Sequence, residues 1–217
     1  MLLTIFRFTG DFLLISSRYI LMKKIKQEKS VAGLSLKTQI IYLITYLLRY
    51  IDLKNFSSTA GYLQIYNSIL KVSFILYQIR IIHLIYRHRK TYTKRFDTFP
   101  LSVLIGTATL ISAVISDSLF YVQEFAYNMS LILESIAILP QLVMTQEAEE
   151  CETMTGLYII LLGMYRMSYM LYFITKIVMG MKVDYLTVIT SLVQTILYGD
   201  FFAVYYSYVF HKSKMVF

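Results

Sequence analysis

The chain has 217 residues, 57% of them hydrophobic and only 16% charged, with a mean hydropathy of +0.59. A soluble domain carries closer to a quarter charged residues, so that class is excluded. One cysteine excludes a disulfide framework. The net charge of +8 is concentrated in short connectors rather than on a soluble platform of the kind that binds nucleic acid.

A transmembrane helix needs about 20 largely apolar residues. Seven such runs follow one another, at roughly 2–22, 37–53, 61–86, 99–116, 120–143, 154–176 and 183–209. They predict an all-α integral membrane protein, a single seven-helix domain over residues 1–217 in contact with the lipid bilayer. The first run lacks a basic n-region and a small-residue cleavage site, so it reads as a span and not as a signal peptide. Lys23, Lys24, Lys26, Lys29 and Lys37 surround the first connector. Arg87, Arg89, Lys90, Lys94 and Arg95 fill the third, and Lys212 and Lys214 lie in the tail. These three segments alternate correctly to share one side of the membrane. By the positive-inside rule that side is cytosolic, which puts the N-terminus in the lumen or exterior. The basic clusters read as orientation signals and lipid-headgroup contacts.

An internal echo accompanies this layout. Gly33-Leu34-Ser35 precedes the second run and Thr155-Gly156-Leu157 opens the sixth; Arg49-Tyr50 and Tyr165-Arg166 lie within those runs. Three helices, a connecting helix and three more helices make up the parallel-repeat layout of PQ-loop/SWEET-like bundles.

Several runs carry ionisable residues: Arg7, Arg49, Asp52, Glu134, Arg166 and Asp200. Each costs roughly 2.5–3.5 kcal/mol near the bilayer centre if nothing answers it, so these groups are expected to line a polar cavity. Helical spacing groups them further. Tyr165, Tyr169, Tyr172 and Lys176 form one stripe with Arg166 beside it. Glu124, Tyr127, Leu131 and Glu134 share a face of the fifth run. Arg49 and Asp52 are three apart with Tyr50 adjacent, and Arg7 and Asp11 are four apart. Pairing among these charges would hold helices together. The concentration of Arg7, Arg49, Arg166 and Lys176 on three helices points instead to an anionic guest, because arginine forks suit carboxylates. Glu124 with Tyr127 offers the reverse, a carboxylate and a π-face for a cationic head.

Nothing catalytic accompanies the cavity. There is no metal-spaced His/Cys cluster, phosphate loop or nucleophile–base pair, so neither enzyme activity nor a cofactor is expected. His83, His88 and His211 fall on the opposite side from the cavity, and Cys151 reads as an ordinary thiol in a loop. Asn55-Phe56-Ser57 matches a glycosylation sequon in a short, membrane-hugging loop.

The residues resemble the KDEL receptors, the endoplasmic-reticulum lumen protein-retaining receptors, nearly end to end. The signposts are Phe6-Arg7-Phe8 with Gly10-Asp11, Ala32-Gly33-Leu34-Ser35 with Lys37-Thr38-Gln39, and Arg49-Tyr50-Ile51-Asp52-Leu53. Further on come Ile65-Tyr66-Asn67 with Lys71, Asp97-Thr98-Phe99, and the run from Leu133 to Leu142 containing Glu134 and Pro140-Gln141. Gly163, Tyr165-Arg166, Tyr169, Gln194 to Tyr198 and Asp200-Phe201-Phe202 complete the series. The resemblance implies a receptor that binds the C-terminal Lys/His-Asp-Glu-Leu tetrapeptide of luminal proteins in the Golgi. It would return them to the endoplasmic reticulum in coated vesicles, in a pH-dependent cycle. It further implies that Arg49 and Tyr50 hold the terminal carboxylate, Arg7 the ligand glutamate and Lys176 the aspartate. Glu124 and Tyr127 would meet the leading Lys or His, while Tyr165 and Glu134 bond as the receptor switches. Asp200 would serve the return journey, and Lys212 and Lys214 resemble the patch that vesicle coats recognise.

Four departures stand out. The family's pH-sensing histidine is Leu14 here. Its last-turn arginine is Lys176, without bidentate geometry. A tryptophan is replaced by Tyr127, a weaker cation–π partner. The loop around Lys54–Gly61 is longer than the usual pattern. With no histidine on that side, Glu134 is the candidate group for taking up the proton that acid-favoured binding requires. The rival reading is a PQ-loop/SWEET-like small-solute transporter using the same bundle, against which the clustered cations speak.

Overall fold

The computed structural model describes residues 2–51, 61–116, 121–147 and 153–214, and among these the regular structure is helical. The α-helices are α1 (Leu2–Glu28), α2 (Leu36–Arg49), α3 (Tyr62–Arg87), α4 (Leu101–Ile115), α5 (Val122–Ile136), α6 (Leu139–Glu147), α7 (Thr153–Val178) and α8 (Tyr185–Lys214). Among the described residues, four segments are long and apolar enough to cross a membrane: Gln64–Arg87, Val122–Glu147, Leu157–Val178 and Tyr185–Ala203. α4 is a shorter apolar helix. α1 is 27 residues long, and Arg7, Asp11, Arg18 and its final lysines dilute its apolar character.

Local chemistry sets the helix limits. Ser35 caps α2, its hydroxyl accepting from the Thr38 N–H at 3.1 Å. Lys29 takes a positive φ of 51° just beyond α1, ending that helix. The fifth predicted run, expected to be continuous, is divided into α5 and α6 at Ala137–Ile138. Pro140 supplies the reason: it has no N–H to offer the Ile136 carbonyl four residues back. Helical bonding resumes with Leu142 N–H to the Ile138 carbonyl at 3.0 Å.

The helices share one apolar core running from Leu14, Leu21 and Ile25 of α1 through Tyr42 and Tyr46 of α2 to Tyr158, Leu162 and Tyr165 of α7. α1 packs most extensively on α7 and α2 on α5. A Cβ on Gly10 would come within 2.9 Å of the Tyr169 ring, so glycine is what lets that ring lie against α1. Gly163 admits the Phe202 ring of α8 in the same way, with a Cβ there 2.5 Å from it.

At the end of the bundle where α2 and α4 begin, the connectors are tied together around one carboxylate and one amide side chain. Asp97 is buried and accepts from the Ser35 hydroxyl at 2.9 Å, from the Lys37 N–H at 3.3 Å and from the Tyr92 hydroxyl. Gln141 of α6 accepts from the Ser35 N–H at 2.9 Å and donates to the Gly33 carbonyl at 2.8 Å.

Candidate functional site

Toward the other end of the bundle, where α1 starts and α2 and α7 finish, lies a cavity of about 390 Å³. Residues of α1, α2, α3, α5, α7 and α8 line it. α1 contributes Arg7, Asp11 and Leu14 at helical spacings of four and three, one face of that helix. Arg49 and Tyr50 come from the end of α2, and Tyr127, Leu131 and Glu134 from one face of α5. Tyr165, Arg166, Tyr169 and Tyr172 come from α7.

Glu134 sits at the centre. Its carboxylate is shared by two guanidinium groups, Arg49 from α2 and Arg166 from α7, and the Tyr165 hydroxyl donates to it at 3.3 Å. The Nε of Arg49 donates to the Ser130 hydroxyl at 3.1 Å, while its second terminal nitrogen is buried without a hydrogen-bond partner. Arg166 Nε donates to the Tyr165 hydroxyl at 2.7 Å. One carboxylate therefore answers two arginines, and half of the Arg49 fork is left over.

Arg7 and Asp11 do not pair with each other, despite their spacing. Arg7 donates to the Asn67 side-chain oxygen of α3 at 2.6 Å, and Asp11 accepts from Tyr66 at 3.2 Å and from Tyr169. A neutral amide solvates the Arg7 charge without cancelling it. Among the described charged residues in the wall, Arg7, Arg49 and Arg166 face Asp11 and Glu134, and Lys71 lies 5.5 Å above the Tyr50 ring. The arrangement can grip an anion with forked donors.

A second, adjoining cavity of about 760 Å³ shares Arg49, Tyr50, Lys71 and Tyr127 with the first and adds Glu124. Glu124 and Tyr127 are thus brought beside the cationic group, but at its rim. Lys176 is outside the lining of either cavity; its ammonium lies 5.2 Å from the ring of Tyr172, which does line the first. Asp200 is exposed on α8 and stands apart from both. Lys212 and Lys214 fall in the last turn of α8. Asp52, Asn55, Cys151 and most of the loop around Lys54–Gly61 lie outside the described residues. No group of three or more His, Cys, Asp or Glu side chains among the described residues could hold a metal ion.

Sequence reasoning missed three participants. Tyr46 lines the cavity and stacks on Tyr50 at 5.9 Å with near-parallel rings. Ser130 steadies Arg49, and Arg18 lies buried beneath the cavity wall. The first and last had a visible signal: Tyr42, Tyr46 and Tyr50 recur every four residues, and Arg18 follows Arg7, Asp11 and Leu14 at spacings of four, three and four.

A family model described as the ER lumen protein retaining receptor matches residues 30–176, well over half of the chain. The ER lumen protein-retaining receptor of Dictyostelium discoideum is 38% identical, over 98% of this chain and 96% of its own length. The ER lumen protein-retaining receptor A of Arabidopsis thaliana is also 38% identical, with 98% and 97% covered. The receptor of Drosophila melanogaster is 36% identical, with 98% of each chain covered. The aligned stretches run nearly end to end, so this chain belongs to the ER lumen protein-retaining receptor family.

Proposed function

We propose that the chain binds the C-terminal Lys/His-Asp-Glu-Leu-type signal of luminal proteins in the Golgi and returns them to the endoplasmic reticulum. The observation that carries this reading is the cavity in which three arginines face two carboxylates and one arginine fork is half unused. Such a tail brings a terminal carboxylate and two acidic side chains, which match that surplus. Arg49 with Tyr50 takes the terminal carboxylate, and Arg7 and Arg166 take acidic side chains beside the tyrosines Tyr165, Tyr169 and Tyr172. Glu124 and Tyr127 meet the leading cation at the rim, Lys176 beside the Tyr172 ring is a further contact, and Asp52, outside the described residues, is kept as a candidate on its sequence alone. The family is one of receptors and not of enzymes.

The architecture we infer has seven spans in one domain: α1, α2, α3, α4, α5 with α6, α7 and α8. Two three-helix repeats joined by α4 account for the packing. α1 on α3 corresponds to α5 on α8, and α2 on α3 corresponds to α7 on α8. The contacts between repeats, α1 on α7 and α2 on α5, exchange under the same correspondence. In this arrangement the N-terminus and the cavity are luminal and the tail is cytosolic, where Lys212 and Lys214 meet the vesicle coat. Asp200, apart from the cavity, serves the return step. Asp200→Asn is expected to leave peptide affinity unchanged while the receptor accumulates in the Golgi, read by fractionation; weakened binding would put Asp200 in the site after all.

The test is direct. Purified receptor should bind the tetrapeptide with a free carboxylate far more tightly than its amidated form, and Arg49→Ala should abolish the difference. A neutral-solute transporter built on the same bundle would ignore the carboxylate. Equal binding of both peptides, or normal binding by Arg49→Ala, would refute the reading.

A further inference from the structure

Arg18 has no place in the recognition scheme above, yet it is fully buried, with none of its surface exposed. Its terminal nitrogens donate to the Tyr158 hydroxyl at 2.6 Å and the Tyr46 hydroxyl at 2.9 Å. Its guanidinium carbon lies 4.4 Å from the Tyr42 ring centroid, 5.7 Å from that of Tyr158 and 5.8 Å from that of Tyr46. Its Nε has no hydrogen-bond partner. Among the described residues it makes no ion pair, so hydroxyls and ring faces solvate a charge that nothing cancels. A buried ion in that condition costs several kcal/mol and calls for a counter-charge.

The cavity adjoins Arg18 along α1. Leu14, one helical turn before Arg18 on the same face, is in the cavity wall, and so is Tyr46, whose hydroxyl receives the Arg18 hydrogen bond. Four residues of helix rise about 6 Å, so a single layer of side chains separates the guanidinium from whatever occupies the cavity. Leu14 and the Tyr46 ring offer no counter-charge in between. We propose that Arg18 is a positioning residue for the anionic tail: a fixed positive charge beneath the cavity wall that draws ligand carboxylates to the deep end without touching them. This rests on the tail-binding reading. At about 10 Å and an effective dielectric near 20, one ligand charge gains on the order of tenfold in affinity from Arg18.

The experiment uses the full chain, reconstituted, with four probes: Lys-Asp-Glu-Leu and its analogues in which Asp becomes Asn, Glu becomes Gln, or both. Affinity is measured at one pH and ionic strength for wild type, Arg18→Lys and Arg18→Met. Arg18→Met should weaken the parent peptide about tenfold or more and the doubly amidated one least, flattening the dependence of affinity on ligand charge. Arg18→Lys should keep the wild-type dependence. An equal loss for all four peptides in Arg18→Met would mean Arg18 only packs, and would overturn the inference. Should Arg18→Met fail to fold, Arg18→Lys decides alone. Lysine cannot repeat the fork to Tyr46 and Tyr158, so a purely hydrogen-bonding role predicts uniformly weaker binding, whereas a charge role predicts an unchanged series. Wild type that binds C-terminally amidated Lys-Asp-Glu-Leu, measured alongside, as tightly as the free acid overturns the tail-binding reading and this inference with it. Wild type that discriminates, beside an unaltered Arg18→Met dependence, overturns this inference alone.

Discussion

The two ends of the bundle handle buried polar groups in opposite ways. Around Asp97, a carboxylate is met by a hydroxyl, a backbone N–H and a phenol, and Gln141 spends both ends of its amide on the backbone of residues 33 and 35. The partners come from connectors and helix starts, so the effect is to pin loops. Around Glu134, one carboxylate serves two arginines, Arg7 has only an amide, and a cavity adjoins them all. Satisfied polar groups without a cavity make a structural joint; cations in surplus around a cavity are the feature on which the proposed anion site rests. The comparison separates two kinds of buried polarity that look alike in a list of apolar runs interrupted by charge.

Breaking the site should cost function first. Arg49→Ala removes a side chain that touches both Ser130 and Glu134 and also offers an unused donor. Losing one partner of a buried, hydrogen-bonded charge pair costs about 2–5 kcal/mol, so peptide affinity should fall at least roughly 30-fold, as calorimetry or a fluorescent tetrapeptide would report. Binding within threefold of wild type would show that the anion sits elsewhere.

Glu134→Gln takes away the shared counter-charge, leaving Arg49 and Arg166 facing each other. Thermal stability should drop, by up to about 3–5 kcal/mol, the range for stripping one partner from a buried pair. The same variant tests pH dependence. Tighter binding in acid requires the complex to hold more protons than its separated parts. The groups around Glu134 are Arg49, Tyr46 and Tyr50 of α2 and Tyr165 and Arg166 of α7. If Glu134 takes up the proton when a ligand carboxylate competes for its arginines, Glu134→Gln binds with a flattened pH profile. A steep acid optimum that survives the substitution excludes Glu134 from that role.

A smaller effect separates packing from chemistry. Gly10→Ala would place a methyl 2.9 Å from the Tyr169 ring, so the ring must move and carry its hydroxyl off Asp11. Overpacking of this kind costs about 1–3 kcal/mol. The expected outcome is a lower melting temperature with peptide binding weakened less than in Arg49→Ala. An unchanged melting curve would show that α1 and α7 can separate freely here.

Helical periodicity made faces legible but not how the helices are turned against one another. The stripe Tyr165, Tyr169, Tyr172 and Lys176 and the face Glu124, Tyr127, Leu131 and Glu134 follow from spacings of three and four; the structure puts six of the eight on the cavity, with Glu124 in the adjoining one and Lys176 in neither. Spacing also suggests that Arg7 pairs with Asp11. It does not, because α3 and α7 bring Asn67, Tyr66 and Tyr169 close, and such contacts across 55 to 158 residues leave no local trace. The break at Ala137–Ile138 was readable from Pro140, yet the apolar run hides it, since hydropathy records composition and not backbone donors. Arg18 went unnoticed although it stands in register with Arg7, Asp11 and Leu14. A charge late in an apolar run is easily assigned to the basic cluster that follows at Lys23 and Lys24.

The loop joint makes the mildest prediction and the only one set by titration outside the spans. Burial raises the Tyr92 hydroxyl above its ordinary value near 10, and its hydrogen bond to the Asp97 carboxylate raises it further. A phenol that titrates higher in the folded chain favours its protonated form there. Its contribution is therefore complete below about pH 10, where both states keep the proton, and is lost as pH climbs through the raised value. Tyr92 is partly exposed, so solvent screens the effect and the loss should be modest. Wild type should accordingly lose stability above about pH 10 more steeply than Tyr92→Phe, which has no proton to give up. At neutral pH, Tyr92→Phe should be slightly the less stable of the two, because Asp97 then has one donor fewer. Identical alkaline limbs in the two melting-temperature profiles would show that Tyr92 does not hold the connector to Asp97. The contrast between the two ends of the bundle would then rest on Ser35, the Lys37 N–H and Gln141.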